Sequence, residues 1–374
     1  MKKVAVLAAA VALSNSVMAA DADTQAQQAQ IDELKAQIAA LADSMDAQVS
    51  EPANPVHIGG YGEMHLNLNQ GDDNEIDYHR FVLFFGKEFN DRVRFFSELE
   101  LEHSLAGEGK PGEVELEQAY VEYDVNDSMK ARAGLFLLPI GILNETHEPE
   151  TFYGVERNNV EKRIIPTTWW EGGVSLTGSI ADGLSYDVAV HSGLKNDEAV
   201  IRSGRQKVAE ATANKAAYTA RLKYTAVPGL ELAISGQYQD DILQGGGNDE
   251  IGASLVEAHA IYQTGGFGIR ALYAQWNIDS DVESVVADNI GASKQTGYYI
   301  EPSYRISESV GVFYRNSMWD TTAGDSADSE KTQNDVGVNY WLAETAVLKA
   351  DYFRQETAGE FSSAGYNLGV GFSF

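Results

Sequence analysis

The last ten residues, Gly365 to Phe374, constrain the fold more than any other stretch. Tyr366, Leu368, Val370, Phe372 and Phe374 alternate with Asn367, Gly369, Gly371 and Ser373. Successive side chains of a strand point to opposite faces, so this segment has one apolar face and one small or polar face. A soluble sandwich would turn the apolar face inward, whereas a membrane barrel turns it to lipid and gives the polar face to a lumen. Ten residues is also about the length of a tilted strand that crosses a bilayer. A chain ending on such a strand presents a bare edge, and a closed barrel covers that edge with its first strand.

Upstream, the pattern divides the chain. Lys2 and Lys3, the apolar run Val4 to Leu13 and the small-residue site Val17-Met18-Ala19 read as a secretory signal, cut after Ala19 or alternatively Ala20. Ile31, Leu34, Ile38, Leu41 and Met45 then make a heptad stripe, the mark of a short coiled coil or of a lone helix lying against the barrel. Two prolines within 51–55 end that helix. The expected organisation is a signal peptide over 1–19, a periplasmic coiled-coil helix over 20–50, a linker over 51–55 and a barrel over 56–374. Cys is absent and the net charge is −29, about −31 once Lys2 and Lys3 are removed. The first fact excludes disulfides and thiolate metal sites. The second argues against nucleic acid as a partner.

From Val56 onward a period of two recurs sixteen times. Tight turns such as Asn90-Asp91, Asn126-Asp127-Ser128, Ala181-Asp182-Gly183 and Pro228-Gly229 alternate with longer segments. The longer ones are 69–77, 104–113, 140–169, 194–215, 241–251, 278–294, 320–333 and 357–363. The expected fold is all-β: a 16-stranded antiparallel transmembrane barrel preceded by a short coiled-coil helix, with short turns and both termini periplasmic. Tyr224, Tyr262, Tyr304 and Tyr340 fall at short-turn ends and Trp169, Trp170, Trp276 and Trp319 at long-loop ends, as two interfacial girdles would.

The strand Gly59-Gly60-Tyr61-Gly62-Glu63, the segment Phe-Leu-Leu-Pro-Ile-Gly at 136–141, the stretch Thr167-Thr168-Trp169-Trp170-Glu171-Gly172-Gly173 and the final Phe374 resemble the phosphate-selective porin O and P family. The resemblance covers roughly 58–374. It implies an outer-membrane homotrimer in a Gram-negative envelope, a terminal aromatic read by the barrel assembly machinery, and a third long loop folded inward to narrow each pore. Outer-membrane lipid and lipopolysaccharide would surround it, and small solutes or ions would pass through it.

Side-chain parity places Arg80, Arg94, Glu98, Glu100, Arg132, Arg221, Lys223, Arg270, Glu301, Arg305 and Arg315 on the lumen face. There they either line the pore or pair along the wall. The candidate constriction, 141–168, holds Glu145, His147, Glu148, Glu150, Arg157, Lys162 and Arg163, with Glu156 and Glu161 besides. Acids outnumber bases there, which favours a general or mildly selective channel over a dedicated phosphate channel. Acidic tips such as Asp72-Asp73-Asn74-Glu75 lack the calcium-loop pattern and read as solvated loops.

No enzyme is expected, since no nucleophile elbow, zinc motif or phosphate loop is present. No metal or cofactor is assigned either: His57 and His65 share a face but lie about 26 Å apart along a strand. The alternative to a channel is a structural or adhesive barrel tethered to the envelope through its coiled coil.

Overall fold

The computed structural model describes residues 35, 56–196, 201–245, 250–285 and 291–374. The signal peptide, coiled coil and linker expected over 1–55 therefore lie, Lys35 apart, outside the described residues. Among the described residues, sixteen strands form one closed antiparallel sheet in which each pairs with its neighbours in sequence and the first pairs with the last. The first eight are β1 (Val56–Asn69), β2 (Glu75–Asn90), β3 (Val93–Glu102), β4 (Val114–Asn126), β5 (Met129–Leu137), β6 (Trp170–Ala181), β7 (Leu184–His191) and β8 (Ala217–Tyr224). The second eight are β9 (Leu230–Gln239), β10 (Ala253–Thr264), β11 (Phe267–Ile278), β12 (Lys294–Arg305), β13 (Val310–Asp320), β14 (Lys331–Ala343), β15 (Ala346–Thr357) and β16 (Glu360–Ser373). Two short helices, α1 (Asn159–Arg163) and α2 (Val282–Val285), lie in connections.

The closing seam joins β1 to β16 from Tyr61 opposite Ser373 to Asn69 opposite Gly365. Gly60 and Phe374 add a reciprocal pair of backbone bonds, 3.0 and 2.9 Å long. No edge remains unpaired, which is the condition for a sheet to sit in hydrocarbon.

The faces are inverted relative to a soluble protein. Along β8, Tyr218, Ala220, Leu222 and Tyr224 are exposed while Ala217, Thr219 and Arg221 are buried. Val174, Ile234, Val256, Tyr366 and Leu368 are likewise exposed. Glu63, Glu98, Glu257, Arg315 and Asp351 are buried.

Two expectations need correction. The segment 357–363 is not a long loop: β15 and β16 are joined by Ala358 and Gly359 alone, with φ of 53° and 76°. Positive φ at both central residues is what a two-residue hairpin demands. A bulge sets Gln355 opposite Ser363 but Glu356 opposite Phe361, which breaks the alternation and disguises the first residues of β16. The strict short-long rhythm therefore fails at that turn.

The tryptophan girdle fails as well. Trp169, Trp170, Trp276 and Trp319 are all buried: the Trp276 indole donates to Ile164 O at 2.8 Å on the inner side, and Trp170 is covered by the β7–β8 connection, its indole donating to Lys207 O at 3.3 Å. Exposed Tyr218 and Tyr238 stand at the long-loop ends instead. Tyr224, Tyr262, Tyr304 and Tyr340 are exposed at the short-turn ends, as expected.

Ile234 sits mid-strand on the outer face of β9, 53% exposed. Ile234→Arg is expected to destabilise the barrel in lipid vesicles by about 2–4 kcal/mol. Reversible urea unfolding monitored by tryptophan fluorescence checks this; an unchanged midpoint would mean the face does not meet lipid.

Candidate functional site

The β5–β6 connection, residues 138–169, enters the lumen and crosses it. Its base is closed by Asn144, whose side chain donates to Leu138 O and Trp169 O at 2.8 and 2.9 Å and accepts from Trp169 N at 2.7 Å. Ile140, Ile142, Leu143, Val160, Ile164 and Ile165 from this loop join one apolar core with Leu255, Leu272, Trp276, Tyr299 and Trp319 of the wall. Fully burying side chains of this size contributes about 1.5–3 kcal/mol each. The wall strands β10 to β13 thus carry apolar residues at positions that elsewhere in the lumen are polar.

Polar contacts complete the seating. Glu161, fully buried, accepts from Ile142 N (3.0 Å), Leu143 N (2.6 Å) and the Tyr299 hydroxyl (2.8 Å). Asn158 caps α1 by accepting from Glu161 N at 3.0 Å. Residues 151–155 are then clamped one after another. Arg270 donates to Thr151 O (2.8 Å), Asn339 to Phe152 O (3.1 Å), Arg315 to Tyr153 O (3.4 Å) and Lys349 to Gly154 O (2.9 Å). Asp351 accepts from Val155 N at 2.7 Å.

The loop comes to rest on the small face of β16. A Cβ added at Gly371 would stand 2.3 Å from Pro149 Cβ, and one at Gly369 would stand 3.0 Å from Val155 Cγ1. Only glycine admits so close an approach. Ser373 donates to the Glu150 carboxylate in the same seat.

All eleven residues read as lumen-facing lie on the inner side, but they do different things. Arg80 pairs with Glu63 (2.7 Å) and Glu100 (3.4 Å). Arg94, Lys130 and Arg132 converge on Glu122 at 2.8, 3.3 and 2.7 Å. Arg221 bridges Asp187 (2.8 Å) and Glu145. Arg315 bridges Glu301 and Asp335, each at 3.2 Å. Arg305 stacks on Trp341 at 3.5 Å. Lys223 and Arg270 line a cavity of ≈ 470 Å³ with Arg221, Glu145 and Glu231. Glu98 and Glu100 are buried against the β3–β4 wall.

The acids of the loop are mostly engaged: Glu145 by Arg221, Glu150 by Ser373, Glu161 as above, and Glu156 by His65 and Asn67 at 3.0 Å each. Glu148 contributes its carbonyl to Thr151. The bases are not so engaged. Arg157 donates to Thr168 Oγ1 (2.7 Å) and His147 O (3.5 Å), and Arg163 is exposed. Two further cations, missed from sequence, arrive from the β7–β8 connection: Arg202 donates to Lys162 O (3.0 Å) and Thr167 O (2.7 Å), and Arg205 to Thr168 O. Burial lowers the pKa of Lys162, and the like charges of Arg202, Arg163 and Arg157 lower it further against the pull of Glu156. Among the described residues, none of these five cations forms an ion pair with a carboxylate. Arg202 and Arg205 have no motif around them; only the fold of their loop brings them here.

No family profile matches the chain. An uncharacterized protein of Aquifex aeolicus is 30% identical over 346 residues, which span 83% of this chain and 78% of that protein. The chain belongs to the family of that Aquifex protein. Among solved structures, the anion-selective porin from Comamonas acidovorans aligns with a TM-score of 0.61 at 12% identity over 86% of this chain and 99% of that one. OmpF of Salmonella typhi aligns with a TM-score of 0.60 at 13% identity, covering 86% of this chain and 98% of its own. OmpT of Vibrio cholerae, in its trimer form, aligns at 0.59 and 14% identity over 86% and 99%. At such identities the shared property is the porin fold: a closed sixteen-stranded barrel.

Removing the Glu161 carboxylate leaves two buried amides without an acceptor, at about 1–3 kcal/mol apiece. Glu161→Ala is therefore expected to loosen the segment around Ile142 and Leu143 while the barrel stays closed. Limited proteolysis of the folded protein would read this as new cleavage within that segment, and unchanged protection would contradict the staple.

Proposed function

We propose that the protein is an outer-membrane channel for small hydrophilic solutes and ions, with a preference for anions. The observation that carries this reading is the cluster of Arg157, Lys162, Arg163, Arg202 and Arg205 beside an inner loop whose acids are engaged elsewhere. Guanidinium groups keep their charge and offer several donors, so such a cluster draws anions to a constriction. The count of acids over bases in 141–168 argued for weaker selectivity. Charge that is already paired contributes little to the field, and that shifts the reading toward the anion side of the phosphate-selective resemblance. Porin-fold neighbours, one of them described as anion-selective, support the same reading. A homotrimer inserted with periplasmic termini completes the proposal, supported by the trimeric form of the Vibrio neighbour.

Planar-bilayer recordings across a salt gradient test it directly. The wild-type reversal potential should indicate anions over cations. A unit charge about 7 Å from a permeating ion in water contributes roughly 0.6 kcal/mol, or about threefold in local concentration. Arg163→Glu combined with Lys162→Gln should therefore lower the anion-to-cation permeability ratio at least about threefold. A cation-selective wild type would overturn the preference, and a silent barrel would overturn the channel.

The tether reading is favoured by the heptad stripe from Ile31 to Met45. Deleting residues 21–50 should leave single-channel conductance unchanged and release the protein from its envelope anchorage if the helix is a tether. Unchanged anchorage in cell-envelope fractionation would remove that role.

A further inference from the structure

Two residues before Pro149 and its glycine seat, His147 of the inner loop meets the wall at β3 and β4. Its Nε2 lies 3.4 Å from Glu98 Oε1 and 3.6 Å from Glu117 Oε2. The three residues are 3%, 1% and 1% exposed, and none of the three facing atoms has a hydrogen-bond partner. An N–H···O bond spans about 2.7–3.2 Å, so these contacts are too long to be hydrogen bonds. Two other imidazole–carboxylate pairs in the lumen are closed, His65 to Glu156 at 3.0 Å and His259 to Glu257 at 2.7 Å, while His191 stands 4.0 Å from the single carboxylate of Glu171.

The far sides of His147 and Glu98 are satisfied. His147 Nδ1 faces Asn144 O at 3.2 Å, so it donates a proton there and leaves Nε2 directed at the two carboxylates. Asn144 is itself held by its three bonds at the base of the loop. The second oxygen of Glu98 accepts from Gln118 Nε2 at 2.7 Å. An imidazole whose far nitrogen is fixed by a backbone carbonyl, and a carboxylate oriented by an amide, are the supports that surround metal ligands. Ligands about 2.0–2.2 Å from a tetrahedral ion stand about 3.3–3.6 Å apart, which matches both distances from His147 Nε2 to the carboxylates.

We propose that Glu98, Glu117 and His147 form a divalent-cation site of the zinc class that ties the inner loop to the barrel wall. One imidazole with two carboxylates suits a borderline ion better than calcium or magnesium, which favour all-oxygen shells. A cation there also offsets like charge: Glu117 belongs to a second buried group with Glu100 and Glu115, whose oxygens lie within 4.8 Å of one another. Arg157 binds the His147 carbonyl and leaves the ring free to ligate. The site is independent of the channel reading.

The test uses the full-length barrel in detergent, stripped with a chelator, exposed to zinc sulfate, desalted and assayed for metal by mass spectrometry and titration calorimetry. One zinc per chain is expected. His147→Ala and the near-isosteric Glu117→Gln should each weaken binding tenfold or more, while His259→Gln should not. A heat-modifiable shift on gels confirms that each variant is a closed barrel. A wild type without stoichiometric zinc, or binding unchanged in both variants, would leave His147 as a protonated link between loop and wall and overturn the proposal. Displacement of zinc by an equal concentration of calcium would also overturn it, since carboxylates alone would then hold the ion. Metal content is read whether or not the barrel conducts, so failure here and failure of the channel reading are distinguishable.

Discussion

The seating of the β5–β6 connection governs the interior. A closed sheet of sixteen strands by itself encloses a wide aqueous lumen. What narrows it is an apolar patch on β10 to β13 that meets Ile140, Ile142, Ile164 and Ile165 of the loop. Burial of those side chains sets the position of the loop, and the clamp over residues 151–155 sets its path. The field along the lumen follows from that path, because Arg270, Arg315 and Lys349 spend donors on loop carbonyls while, among the described residues, the five cations on the loop and its neighbour form no ion pair with a carboxylate.

The barrel was legible in the sequence because its rule is local. A period of two with turn residues between strands needs no knowledge of what faces what, and parity alone assigns Arg94, Arg221 and Arg315 to the inner side. The same rule misleads where an apolar residue has an unexpected neighbour. Trp276 and Trp319 look like members of an interfacial belt because nothing nearby announces a loop arriving from more than a hundred residues away. A bulge at Gln355 hid the start of β16 in a similar way, by shifting the alternation one place.

The candidate site was less legible for a related reason. Counting acids and bases in 141–168 treats all charges alike, yet Glu161 binds backbone amides and Glu145 binds Arg221. Arg202 and Arg205 belong to a different connection and join the cluster only through tertiary contact. The grouping of Glu98, Glu117 and His147 draws on two strands and a loop, so no short motif could disclose it. Where ligands come from separate elements, spacing in the chain carries no information about spacing in the fold.

The landing place of the loop has one more implication. Pro149 and Val155 rest on Gly371 and Gly369, and Glu150 meets Ser373, all within the final strand. That strand is the last in the chain, and until it docks against β1 the stretch from Pro149 to Val155 lacks one side of its seat. Shutting the cylinder and fixing this stretch across its bore are consequently coupled, although the apolar patch on β10 to β13 can hold the rest of the segment earlier.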